Sequence, residues 1–162
     1  MAILPILSKV LEKAIFLQII DYMNTNQLLH PNHHGFRPGH STTTCLIQMY
    51  DAWVEGVDQG QHTDTGACFL DLSAVFDVVD HPLLVEKLRL FGFTEESLSW
   101  VTSYLSDRSQ TVYIEGFFSK ILPVPTGVPQ GSILGPLMYM IFTNELPEVI
   151  HDHAATSMKH EV

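Results

Sequence analysis

Apolar residues recur along this chain at helical and at extended spacings, and polar loops rich in glycine, proline and histidine separate the runs. In LSKVLEKAIFLQIIDYMNTNQLL, Leu7, Val10, Leu11, Ala14 and Leu17 fall at three- and four-residue steps, the period of one helix face. Ile15, Ile19 and Tyr22 widen the stripe, which predicts a helix buried on a broad face. HPNHHGFRPGHST reads as a loop. Ser41 or Thr42 is a suitable N-cap for a second helix, where Leu46, Met49, Tyr50, Trp53 and Val57 keep the spacing to about Asp58. DQGQHTDTG is a loop, and GACFLDL is short, apolar and strand-like.

HPLLVEKLRLFG predicts a helix started by Pro82 and stopped by Gly92, the usual placement of those two residues. Thr94 can cap a further amphipathic helix through Leu98, Val101 and Leu105. QTVYIEG and SKILPVP, separated by a short polar-aromatic turn, read as a β-hairpin. The loop TGVPQGS leads into ILGPLMYMIFTNELP, an apolar segment expected to form a buried helix. EVIHDHAATSMKHEV shows no period, and no segment repeats. Helix, helix, strand, helix, helix, hairpin, helix is the order of an α+β domain.

Composition narrows the class. With 162 residues the chain suits one core. Hydrophobic residues make up 46% and charged residues 16%, below the ~25% charged that is usual in globular domains. The chain is therefore globular, with more apolar surface than it easily hides. Its net charge is -10, with only eight Lys plus Arg; an independent nucleic-acid binder usually carries a basic face. Cys45 and Cys68 cannot form a disulfide framework and are expected as buried, reduced thiols. No apolar run approaches the ~20 residues of a membrane span. Lys9, Glu12 and Lys13 interrupt the apolar start, unlike a signal peptide. The expected setting is intracellular, cytoplasm or nucleus, not secreted and not membrane-bound.

Three segments carry chemistry. In FLDLSAVFDVVDH an apolar strand ends at Asp71, with Phe76 and Asp77 following. A carboxylate at a strand end can bind a hard divalent cation through oxygen, and it can equally be a turn or helix cap. Phosphoryl transfer with two metals about 3.5–4 Å apart needs a second carboxylate element besides Asp71. In GVPQGSILGPL, Gly127 and Gly131 allow a flat ligand near the backbone, Gln130 offers an amide that donates and accepts, and Ser132 can cap the next helix. An ordinary strand-to-helix turn would look the same. In HGFRPGHST, Arg37 lies between Gly35 and Gly39; its guanidinium fork suits phosphate, although a surface arginine in a turn is the plainer account.

LPILSKVLEK, GFRPGHSTT, FLDLSAVFDVVDH and GVPQGSILGPLMYMIFTNELP, in that order, are similar to the reverse transcriptase of non-LTR (LINE-type) retrotransposons, most like jockey-type elements. The resemblance runs from about Leu4 to His153. It implies a partial right-hand polymerase fold, fingers plus part of the palm, with helices packed on an incomplete antiparallel sheet over residues 1–153 and a disordered tail over 154–162. It implies RNA-directed DNA synthesis from deoxynucleoside triphosphates, with an RNA template, a DNA primer and Mg2+. By the same resemblance Asp71 is the first metal-binding aspartate, helped by the Leu72 carbonyl. Phe76 is the steric gate that clashes with a 2′-hydroxyl, Gln130 and Gly131 meet the incoming nucleotide and template, and Arg37 meets the triphosphate. Asp77 receives no catalytic role.

The family's Tyr/Phe-x-Asp-Asp element is expected downstream of TNELP, and no such sequence occurs from Glu145 to Val162. The resemblance therefore implies a piece truncated before that element, inactive by itself, and a weak binder of nucleic acid because phosphate contacts supply most such affinity. His151, Asp152, His153, His160 and Glu161 are metal-capable types in a polar terminal stretch, and His30, His33, His34 and His40 lack cysteines at ligand spacing; both groups read as solvated. The rival class is a degenerate, non-catalytic binding module whose open strand edges and exposed apolar surface promote self-association. A metal-dependent nuclease finds no motif here.

Overall fold

The computed structural model describes residues 5–60 and 74–149. The helices among them include α1 (Ile6–Thr25), α2 (Thr42–Asp58), α3 (His81–Leu90), α4 (Glu95–Leu105) and α5 (Leu134–Phe142), and residues 146–149 are helical as well. Four two-residue strands lie between α4 and α5: β1 (Ser109–Gln110), β2 (Tyr113–Ile114), β3 (Phe117–Phe118) and β4 (Leu122–Pro123). Mixed helix and small antiparallel sheet is an α+β composition, as the pattern predicts. The predicted strand 66–72, with Cys68, lies outside the described residues. The chain divides into two compact units, residues 1–28 with 74–143, and residues 29–73 with 144–162.

The first unit is held by helices packing on one another: α3 on α4, α3 on α5, and α1 on α5. Leu84 and Leu88 of α3, Leu98, Val101 and Leu105 of α4, and Leu134, Leu137, Met138, Met140 and Ile141 of α5 are buried. The α3 start is set by Asp80 rather than by Pro82 alone: its carboxylate accepts the Leu83 N–H at 2.8 Å, with Pro82 in the first turn. At the other end, Lys87 Nζ donates to Phe142 O at 2.7 Å. That puts a cation on the carbonyls that end α5, where the helix dipole favours it. Thr94 caps α4, accepting the Ser97 N–H at 3.4 Å, as its position predicts.

Three expectations change. In α1 the buried residues are Glu12, Ile19, Ile20 and Met23, whereas Leu7, Val10, Leu11 and Leu17 are each more than half exposed. The apolar stripe therefore points outward, and the helix turns a charged side chain inward. The reason is hydrogen bonding. Glu12 Oε2 accepts the Ile133 N–H at 2.7 Å, and Oε1 accepts from Tyr104 Oη at 3.2 Å and Ser8 Oγ at 3.4 Å. The Ile133 N–H belongs to the start of α5, where backbone donors lack intrahelical partners. Burial pushes the Tyr104 phenol above its ordinary pKa, the Glu12 charge adds to this, and the Ser132 hydroxyl and Arg108 oppose it.

Second, the hairpin turns at Glu115–Gly116. Tyr113 pairs with Phe118 and Ile114 with Phe117, while Ser109 pairs with Pro123 and Gln110 with Leu122. Glu115 and Gly116 have φ 48° and 90°, the type I′ handedness that matches strand twist, so the two phenylalanines are strand rather than turn. All eight strand residues are exposed, and among the described residues the helix core is made without a sheet beneath it. Third, Cys45 is free and half-buried rather than buried.

In the second unit α2 begins where the sequence predicts. The Ser41 and Thr44 side chains each accept the other residue's backbone N–H, at 3.2 and 2.9 Å, a reciprocal cap of the capping-box type. Asn144, buried, accepts the His30 N–H at 2.9 Å. Among the described residues no helix is long and apolar enough to cross a membrane.

Replacing Glu12 with alanine removes the carboxylate acceptor of the part-buried Ile133 N–H and of the Tyr104 hydroxyl. The expected loss in urea unfolding is about 2–4 kcal/mol, with E12Q, which keeps one carbonyl oxygen, losing less; equal stability of E12A and wild type would refute the role.

Candidate active site

Two segments far apart in sequence meet in the first unit, 76–81 and the loop 126–133 that precedes α5. The Gly127 N–H donates to Val79 O at 2.8 Å and the Val128 N–H donates to Phe76 O at 2.7 Å, so the loop runs beside the segment like a paired strand. Thr126 Oγ1 donates to Asp77 O at 3.1 Å. His81 Nε2 lies 2.7 Å from Gly127 O; a carbonyl only accepts, so this nitrogen carries the proton. Val79, Gly127, Val128 and Pro129 are buried.

Gly127 shows why the residue type is needed. Its φ is 82°, and a Cβ there would lie 2.7 Å from both Asp77 Cα and Phe76 O. No side chain fits between the two backbones. Gly131, at φ 92°, turns the loop into α5 in the left-handed region that glycine adopts without steric cost. Ser132 then accepts the Gly135 N–H at 2.8 Å from one residue ahead of the N-cap, which is Ile133 rather than Ser132.

Three side chains at this junction, Phe76, Asp77 and Gln130, are at least partly exposed. The Phe76 ring is half-buried, its centroid 5.4 Å from that of Tyr139 on α5 and tilted 52° to it. Burial pushes the Tyr139 phenol above its ordinary pKa. Gln130 Nε2 donates to the Asp77 carboxylate, at 3.1 Å to Oδ1 and 3.3 Å to Oδ2. Both side chains are exposed. The surface thus combines a fixed aromatic ring, a held amide and a loop whose backbone a planar or phosphate-bearing ligand can approach.

Of the residues singled out from sequence, Phe76, Gln130 and Gly131 lie together in this unit. Asp71 and Leu72 lie outside the described residues. Arg37 belongs to the other unit, in a turn where His40 N–H donates to Arg37 O at 3.1 Å. One guanidinium nitrogen donates to His30 O at 3.4 Å. Beside it, burial and then the Arg37 charge push the His33 imidazole below its ordinary pKa.

The other loop histidines have protein partners. His34 Nδ1 meets Thr44 Oγ1 at 3.1 Å and Nε2 meets Gln48 Oε1 at 2.7 Å. His30 Nδ1 accepts the Asn32 N–H at 3.1 Å, and His40 Nδ1 lies 3.2 Å from Pro38 O. Among the described residues no three metal-ligating side chains converge.

Sequence reasoning missed Asp77 as the partner of Gln130, and Glu12 as the acceptor at the loop's far end. Asp77 carried a readable signal, a carboxylate one residue past an aromatic, whereas Glu12 was legible only as a charge interrupting an apolar helix. A groove of about 500 Å³ between α1 and α4, lined by Ile15, Ile19, Tyr22, Phe93 and Trp100 among others, contains none of the predicted site residues.

Comparison with known proteins agrees with the motif order: the model of the reverse transcriptase (RNA-dependent DNA polymerase) family matches residues 1–161. The chain belongs to the reverse transcriptase family. The RNA-directed DNA polymerase from mobile element jockey of Drosophila melanogaster is 32% identical over 146 residues, 90% of this chain and 16% of that protein. The probable RNA-directed DNA polymerase from transposon BS of the same species is 34% identical over 146 residues, with the same coverage. Protein YkfC of Escherichia coli is 30% identical over 130 residues, 76% of this chain and 30% of that protein. This reverse transcriptase chain thus spans 16% of the length of its two transposon relatives, and its resemblance to jockey-type elements stands.

Substituting alanine at Gly127 forces the 76–77 backbone and the loop apart. The expected destabilisation is about 2–4 kcal/mol, read by denaturant unfolding, with loss of the Val128 amide's exchange protection; a stable variant with that protection intact would contradict the close approach.

Proposed function

We propose that this chain forms the nucleotide-selecting floor of an RNA-directed DNA polymerase of a jockey-type retrotransposon, as part of the fingers and palm of a right-hand fold. The observation that carries the proposal is the hydrogen-bonded junction of Phe76–His81 with the GVPQGS loop, in a chain of the reverse transcriptase family. In the reaction the primer 3′-hydroxyl attacks the α-phosphate of a deoxynucleoside triphosphate, and catalysis is mostly positioning and charge stabilisation. Phe76, braced by Tyr139, occupies the space a 2′-hydroxyl would need, and Gln130 with Gly131 lies against the nucleotide. Arg37 holds the triphosphate.

A divalent metal, Mg2+ in this proposal, would be held by the Asp71 carboxylate and the Leu72 carbonyl, hard oxygen donors of the type such ions take. It would supply charge neutralisation at the phosphates. Asp77, whose carboxylate is engaged by Gln130, is not among these donors. RNA template and DNA primer are the partners of the complete enzyme, in the cytoplasm or nucleus. This chain by itself binds nucleic acid weakly, since its net charge is -10 and phosphate contacts supply most of that affinity.

A second reading, a non-catalytic module that self-associates, is favoured by one observation: Ile114, Phe117, Phe118 and Ile121 of the hairpin are all at least 64% exposed. Size-exclusion chromatography at low concentration distinguishes it, a clean monomer counting against it.

Given magnesium, template, primer and nucleotides, the purified chain is expected to extend no primer, because no Tyr/Phe-x-Asp-Asp sequence occurs in these 162 residues. Magnesium-dependent extension lost in Asp71→Ala would overturn that inactivity. Nucleotide titration tests the gate: wild type is expected to prefer dATP over ATP by about ten-fold, and Phe76→Ala to erase most of that preference. Equal discrimination by both chains would remove Phe76 from the role.

A further inference from the structure

An amide side chain can offer a ligand either a donor or an acceptor, and which it offers depends on what holds its other end. Gln130 Nε2 lies 3.1 and 3.3 Å from the two carboxylate oxygens of Asp77. A carboxylate accepts only, so the NH2 end of Gln130 must face Asp77 and its carbonyl oxygen is turned away from it. Asp77 is in turn fixed through its backbone. Its N–H donates to Ala74 O at 2.8 Å, closing a turn with Ala74 at φ 53°, and its carbonyl accepts the Thr126 hydroxyl at 3.1 Å. Phe76 and Gly127 sit in backbone hydrogen bonds on either side of the contact. The backbone-anchored Asp77 thus holds the Gln130 amide, and both are exposed where a ligand can reach them.

We propose that Asp77 is a positioning residue that locks the Gln130 amide with its carbonyl oxygen outward, so that the loop presents an acceptor and favours a nucleotide group bearing an N–H or O–H at that point. The proposal deepens, and rests on, the assignment of the Gln130 loop to nucleotide contact. It also gives a function to a carboxylate that the metal-holding scheme does not use. Without Asp77 the amide rotates freely and presents either end, so the ligand must select one orientation when it binds.

The test uses the full 162-residue chain, as wild type, D77A, D77N, Q130A and the D77A/Q130A pair, with two readouts. The first is hydrogen exchange of the Gln130 side-chain amide by NMR, which needs no ligand. Exchange is expected to be about five-fold faster in D77A than in wild type, with D77N between them because an asparagine carbonyl is a weaker acceptor than a carboxylate. Exchange unchanged in both variants overturns the lock.

The second is titration with dATP and magnesium. D77A and Q130A are each expected to weaken binding by about five-fold, and the pair no more than either alone, because Asp77 acts through Gln130. Losses that multiply in the pair, or D77A binding like wild type, overturn the positioning role. Absence of dATP binding by wild type counts against the nucleotide assignment, while the exchange readout still decides whether Asp77 holds the amide. Should D77A lose the backbone shifts of the loop, the comparison rests on D77N, which keeps the side-chain shape.

Discussion

The contact between the Gly127 backbone and the Phe76–Asp77 backbone, with room for nothing larger than hydrogen, is the constraint on which the candidate site depends. It makes one surface from segments about fifty residues apart. Phe76 and Gln130 have no local reason to be neighbours; α3, α4 and the hairpin intervene between them. Once the loop is hydrogen-bonded along Phe76–Val79, Gln130 is brought to the residue next to Phe76, and the Asp77–Gln130 hydrogen bonds follow with little further ordering of the backbone. The backbone pairing is reinforced by the Thr126 hydroxyl and the His81 imidazole, each on a backbone carbonyl, while the Asp77 and Gln130 side chains stay exposed.

Much of the helical framework was legible because its signals are local. Ser41 and Thr94 cap where their spacing to the next apolar run says they should, and Leu98, Val101 and Leu105 make the buried stripe of α4. What failed to show in the sequence depends on tertiary partners. The apolar stripe of α1 suggests burial on the Leu7–Leu17 face, yet hydrogen bonds to Ile133, Tyr104 and Ser8 draw Glu12 inward and rotate the helix. Periodicity records which residues are greasy and cannot record which backbone N–H, 121 residues later, needs an acceptor. The hairpin turn was misplaced for a related reason: two adjacent phenylalanines look like a break in alternation until Glu115–Gly116 is seen to supply the turn handedness.

Of the candidate site, the family motifs pointed to Phe76, Gln130 and Gly131, and these do lie together. Asp77 escaped because a carboxylate beside an aromatic has many ordinary uses, and only the distance to Gln130 selects among them. Arg37 is a different case. Its loop carries its own internal order, with histidines held by Thr44, Gln48 and neighbouring backbone, where composition alone read as a solvated loop.

Glu12 also has a consequence for how the molecule is made. The residue that completes the start of α5 is synthesised more than a hundred residues before the loop it serves. Ribosomal synthesis therefore leaves α1 waiting, with an ionisable side chain whose eventual partner does not yet exist. Closing so long a loop is entropically costly, and topologies dominated by distant contacts fold slowly. The last structural event among these elements should accordingly be the docking of α1, so that the start of α5 gains its acceptor only after the rest has assembled.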